Sequence, residues 1–281
     1  MLHKLNIINI KLMLRRKEFF LTFLTSLLFF MVPAFVTIIQ LYKKDISTLA
    51  PAWCYFGVIN PFANSLFAHT VQIYFMFFFP FLASTAYSYC IFDNKQLGLD
   101  KLIVSRVNKN VYYLSSGIVV FLGGFLIVFL PLVLSQLLMM VAIPLNSFKT
   151  CPGYPTESDL TFSYVNFFKQ ICYNYPYLYF FMYNFITGIF GGLLGLLSYS
   201  VSLHFKFNRF LTITIPGITY IITSFILNAI SFHQLSLNYL VVPPTIEEGI
   251  QLRYVAGLAL LLLLINIAAI LIKLCFKKDE L

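Results

Sequence analysis

Asp100, Lys101, Leu102 and Arg106 lie in a stretch, 93–110, where charged and apolar residues alternate. None of these side chains is arranged to make or break bonds, so the chemistry open to them is docking. Leu99, Leu102 and Ile103 share one face of a short helix, and Asp100, Lys101 and Ser105 point elsewhere. A short amphipathic helix of this kind seats in a groove on a soluble partner. A solvated loop whose charges only set topology is the plainer reading of the same residues. Bond-making chemistry has no comparable foothold. The chain carries no Gly-x-Ser-x-Gly, no His-Glu-x-x-His, no phosphate loop and no pair of acids inside an apolar run. No Cys and His residues have metal-site spacing. A catalytic role, a metal and a cofactor on this chain are therefore not expected. If it does work with ATP, a separate subunit must bind the nucleotide. Of the five cysteines, Cys151 and Cys172 share one predicted outer loop. They form a disulfide if the compartment is oxidising, and two thiols otherwise.

The elements that must hold such a docking segment are six long apolar runs, roughly 19–39, 68–91, 112–144, 177–203, 209–231 and 253–275. A bilayer core about 30 Å thick takes about 20 helical residues, so each run is long enough to cross it. A composition of 60% apolar and 10% charged residues excludes an ordinary soluble domain. With an inward N-terminus, fourteen of the 19 Lys and Arg fall on the inner side and five on the outer side. The ten acids divide evenly, so the whole net charge of +9 lies inside. That asymmetry predicts six spans with both termini cytoplasmic. The basic residues sit in short loops beside the runs, where topology and anionic headgroups account for them, and nucleic acid is not an expected partner.

Residues 1–18 place Lys4, Lys11 and Arg15 on one helical stripe, with Leu5, Ile8 and Leu12 beside it. This predicts a helix along the inner interface, or a plain basic anchor for the first span. Pro131 and Pro144 interrupt the third run, which predicts a kinked helix. Gly188/Gly192 and Gly191/Gly195 repeat a small residue at spacing four, which admits close helix packing within one chain or between two. Asn184, Asn228, Asn266, Gln72 and Gln136 are the main polar groups at membrane depth, expected to hydrogen-bond between helices. The apolar runs hold almost no ionisable residue, which argues against a proton-coupled transporter. The segment 145–176, with Pro152, Gly153, Pro155, Glu157 and Asp159, is polar enough for a large outer loop.

The region from Tyr87-Ser88-Tyr89 through Asp93, Gly98, Leu102-Ile103, Ser105-Arg106-Val107 and Asn110 to Tyr112-Tyr113 resembles the permease subunit of ABC-type-2 transporters, mostly bacterial exporters. The basic N-terminal segment and the six runs agree with that resemblance. It implies a single all-α permease domain over 1–281, in the bacterial cytoplasmic membrane. It implies that 93–110 carries a coupling helix, with Asp100, Lys101, Leu102 and Arg106 against an ATPase subunit. Two ATPase subunits holding ATP and Mg, and a second permease, identical or homologous, would complete the unit. The aromatic, uncharged spans suggest a hydrophobic or amphipathic cargo: a peptide, an antimicrobial or a lipid-like molecule. A channel, sensor or assembly factor that needs no ATPase is the alternative from another class.

Overall fold

The structure is a computed structural model of the chain and describes residues 2–42, 44, 49–56, 66–146, 168–205, 208–241 and 251–276. Its helices are α1 (Leu2–Arg15), α2 (Lys17–Leu41), α3 (Leu66–Thr85), α4 (Cys90–Gln96), α5 (Leu99–Arg106) and α6 (Lys109–Ala142). They continue as α7 (Lys169–Asn174), α8 (Pro176–His204), α9 (Arg209–Ala229), α10 (Leu237–Val241) and α11 (Leu252–Phe276). Short 3-10 turns cover Ala52–Tyr55 and His233–Leu235, and no strand occurs among the described residues. Among the described residues six segments are long and apolar enough to cross a membrane: α2, Thr70–Asn94 (α3 with α4), α6, α8, α9 and α11. The chain is thus an all-α, multi-pass membrane protein.

Two boundaries differ from the apolar runs in a way that matters. The second span continues past residue 91 to Asn94, with a turn at 86–89 between α3 and α4. Asp93 therefore belongs to the end of a span and not to a loop. The third run is a single helix of 34 residues that passes through Pro131. At 1.5 Å per residue it is about 50 Å long, well beyond a hydrocarbon core.

Helices α6 and α8 form the centre of the bundle; α2 packs on α6, α11 on α8, and α3 on both. Their closeness has a side-chain cause. A Cβ at Gly124 would lie 2.7 Å from the Gly191 carbonyl oxygen, and one at Gly195 would lie 3.0 Å from that of Ala83. Only glycine permits those backbones to meet. On the adjoining face Gly188 and Gly192 receive the rings of Phe125 and Phe121. All four glycines flagged by their spacing thus pack within this chain.

Two prolines free a carbonyl, and in both cases a serine of a neighbouring helix answers it. Pro131 has no N–H to give Ile127 four residues earlier; Ser26 Oγ of α2 donates to that carbonyl at 2.8 Å. Pro216 leaves the Thr212 carbonyl open in the same way, and Ser198 Oγ of α8 lies 2.8 Å from it. Backbone groups at membrane depth have no water to turn to, so this satisfaction is what lets a proline-bearing span persist. The polar residues at depth behave similarly. Asn184 Nδ2 donates to Gln136 Oε1 at 2.6 Å, and Gln136 Nε2 to the Tyr177 carbonyl at 2.9 Å. Asn266 of α11 accepts from Ser200 Oγ at 3.0 Å and donates to the Leu193 carbonyl at 3.2 Å.

Helix α1 does more than border the bundle. It packs along α6: Asn9 and Met13 are buried, and Asn9 Nδ2 donates to Ser115 Oγ at 2.9 Å. The Met13 sulfur fills the notch left by Gly123. The stripe of Lys4, Lys11 and Arg15 faces away from α6, exposed beside Ile8 and Leu12.

Candidate functional site

Between α4 and α6 the chain makes two sharp turns, and they create a short helix outside the membrane-length segments. Gly98 opens α5 at φ +67°, a conformation that costs a side-chain-bearing residue strain and glycine almost nothing. Val107, extended, closes it. Asn108 then caps α6 by accepting from the Asn110 N–H at 3.0 Å.

Within α5 the faces divide differently from the simple wheel. Ile103 and Val104 turn inward against the core cluster that holds Met13, Tyr87, Ile91 and Tyr112. Leu102 stays 60% exposed, and Ser105 and Arg106 are exposed with it. Leu102 and Arg106, four residues apart, thus share an outward face. The expectation that Leu102 and Ile103 share an apolar face gives way, because Ile103 is needed to anchor the helix. Asp100 and Lys101 belong to the α5 backbone; their side chains lie outside the described set.

The preceding helix, α4, carries the centre of a buried charge cluster. Asp93 of α4 is 6% exposed. Arg16, at the joint between α1 and α2, gives it a contact of 2.6 Å from Nη1 to Oδ2. Arg209, the first residue of α9, places Nε 2.8 Å and Nη2 2.7 Å from Oδ1. Glu18 Oε1 lies 3.6 Å from Arg209 Nη1, which leaves two cations and two carboxylates in balance. The turn at 86–89 contributes the rings that frame them. Arg16 lies over Tyr87 at 5.0 Å, and Arg209 over Tyr89 at 5.0 Å, both within cation–π range. Burial acts to lower the Arg16 pKa, but Tyr87 and Asp93 more than offset it and hold it above its ordinary value.

The turn itself is stitched in place. Ser88 Oγ donates to the Ser84 carbonyl and so holds the turn against the end of α3. Asn94 Nδ2 reaches the Tyr112 hydroxyl at 2.8 Å. The arrangement holds charge in place and ties helices together. It offers no nucleophile paired with a base, and among the described residues no group of His, Cys, Asp and Glu could hold a metal ion.

The sequence marked Asp93 only as part of a pattern and left Arg16 and Arg209 as topology charges. The three are separated by 77 and 116 residues, and no periodicity links positions so far apart. One signal was available: each lies at the same side's end of an apolar run. Cys172 is buried, and burial pushes its thiol up to about 12; Cys151 lies outside the described residues, and the disulfide expectation with it. Compared with known protein families, curated proteins and solved structures, the chain matches none.

Proposed function

We propose that the chain is the membrane-spanning permease subunit of an ATP-driven exporter of the ABC-type-2 class, moved by a separate ATPase subunit. One observation carries the reading: a short helix, α5, stands outside the spans with Leu102 and Arg106 exposed, yet is anchored through Ile103 and Val104 on an apolar cluster that joins α1, α4 and α6. A docked partner that displaces α5 acts on three elements together, which is what coupling between distant sites requires. In this reading the basic face is cytoplasmic in a bacterial plasma membrane, and ATP and Mg sit on the partner. A second permease completes the path, and the cargo is hydrophobic or amphipathic.

The test has two arms. In mild detergent the tagged chain should carry a soluble ATPase with it. Leu102→Ala with Arg106→Ala should release that ATPase and abolish the hydrolysis the permease stimulates, while membrane insertion and thermal midpoint stay unchanged. A doubly substituted chain that still binds and stimulates the ATPase overturns the assignment.

A further inference from the structure

Helices α9 and α11 both pack on α8 and leave a gap between them. The gap is a cavity of about 300 Å³. Its floor is Leu194 and Leu197 of α8, and its walls include Thr219 and Thr223 on one side and Leu258 and Leu262 on the other. The threonine hydroxyls give their hydrogens to their own helix. Thr219 Oγ1 donates to the Pro216 carbonyl at 2.9 Å and Thr223 Oγ1 to that of Thr219 at 2.7 Å, which occupies both hydroxyl hydrogens within α9. An apolar cavity of this kind does not fill with water and accepts hydrocarbon.

Width selects the occupant. Along α9 the lining runs from Pro216 to Leu227, about 16 Å at 1.5 Å per residue. Dividing the whole open space of about 790 Å³ by that length gives a cross-section of about 50 Å². A helix 10–12 Å across needs roughly 80–110 Å², so a span of a second copy does not fit, and a single extended hydrocarbon chain does. The end marked by Leu227 and Leu237 changes character. Their chain neighbours Asn228 and Asn238 line a second cavity of about 190 Å³. Each holds a buried acceptor oxygen, Oδ1, with no hydrogen-bond partner among the described residues. Tyr220 lines both cavities.

We infer that this groove is a phospholipid site: one acyl chain lies between α9 and α11, and the headgroup hydroxyls donate to the open oxygens of Asn228 and Asn238. The site requires only that the protein sits in a bilayer and does not depend on the transport reading. A lipid held there separates α9 from α11 and fixes their spacing.

The test is native mass spectrometry of the full chain in dodecyl maltoside, after incubation with palmitoyl-oleoyl phosphatidylglycerol. The wild type should retain about one lipid per chain. Thr219→Trp with Thr223→Trp fills the groove from α9, and Leu258→Trp fills it from α11. Each should cut retention at least fivefold with the thermal midpoint of the lipid-free chain unchanged. Leu264→Trp, on the exposed side of α11, should leave retention at the wild-type level. If one filled variant fails to fold, the other carries the comparison. Loss of all lipid from the wild type, or equal retention in a folded filled variant, overturns the site. So does a disulfide between two chains through Ile222→Cys and Leu261→Cys, since a second copy would then cover the groove. Any of these outcomes leaves ATPase binding by α5 untouched.

Discussion

At the scale of single residues, the pairing of a proline with a distant serine makes a quantitative demand. Ser26→Ala leaves the Ile127 carbonyl without a donor, and the cost of such a loss inside a membrane bundle is about 1 kcal/mol. Replacing Pro131 by Ala supplies an N–H that can take the same carbonyl in the ordinary helical way. Ser26→Ala should therefore cost about 1 kcal/mol with Pro131 present and close to nothing with Ala at 131, a coupling read from thermal or denaturant midpoints in detergent. Additive effects would show that Ser26 does not stand in for the N–H that Pro131 lacks. The sequence displayed Pro131 and predicted a kink there, but could not say which residue answers the freed carbonyl. Ser26 is 101 positions from its acceptor, and one serine in an apolar run looks like any other. Cross-helix partners of this kind depend on how the helices are arranged in space, and composition does not carry that arrangement.

At the scale of elements, the Asp93 cluster joins the α1–α2 joint, α4 and the start of α9. Asp93→Asn removes the carboxylate and leaves Arg16 and Arg209 facing each other. Breaking a buried pair costs about 3–5 kcal/mol, and the low end applies here because Arg209 remains half exposed. Neutralising all three, with Arg16→Gln and Arg209→Gln added, leaves no buried charge uncompensated, since Glu18, which loses Arg209, is exposed. The triple variant should therefore be more stable than Asp93→Asn alone, and thermal midpoints decide the order. The elements themselves were the legible part of the sequence. Every apolar run became a membrane-length helix, and 93–110 yielded a short helix, because long apolar periodicity and a glycine stop are local signals. The extension of the second span to Asn94 was not legible, because the turn at 86–89 draws a charged residue inward that hydropathy alone assigns to a loop.

At the scale of the whole molecule, six crossings return the chain to the side on which it began. Tags on residues before α1 and after α11 should be accessible from the same side of the membrane, and the positive-inside asymmetry predicts the cytoplasmic side. Protease protection in inside-out and right-side-out vesicles reads the result directly, and ends found on opposite sides would remove one crossing from the bundle. The charge cluster on α4 and the groove between α9 and α11 meet α9 at different heights, at Arg209 and from Pro216 to Leu227. Neither was visible in the sequence, since both arise where three helices converge.

The length of α6 bears on how such a bundle can move. One end begins beside α5, and at the other the Pro144 carbonyl, just beyond the helix, accepts from the Ala52 N–H at 3.0 Å. A continuous rod about 50 Å long turns a small rotation into a large excursion: a swing of about 10° about one tip carries the other through about 9 Å. Force delivered at its foot would arrive, undivided, on the far surface of the bilayer.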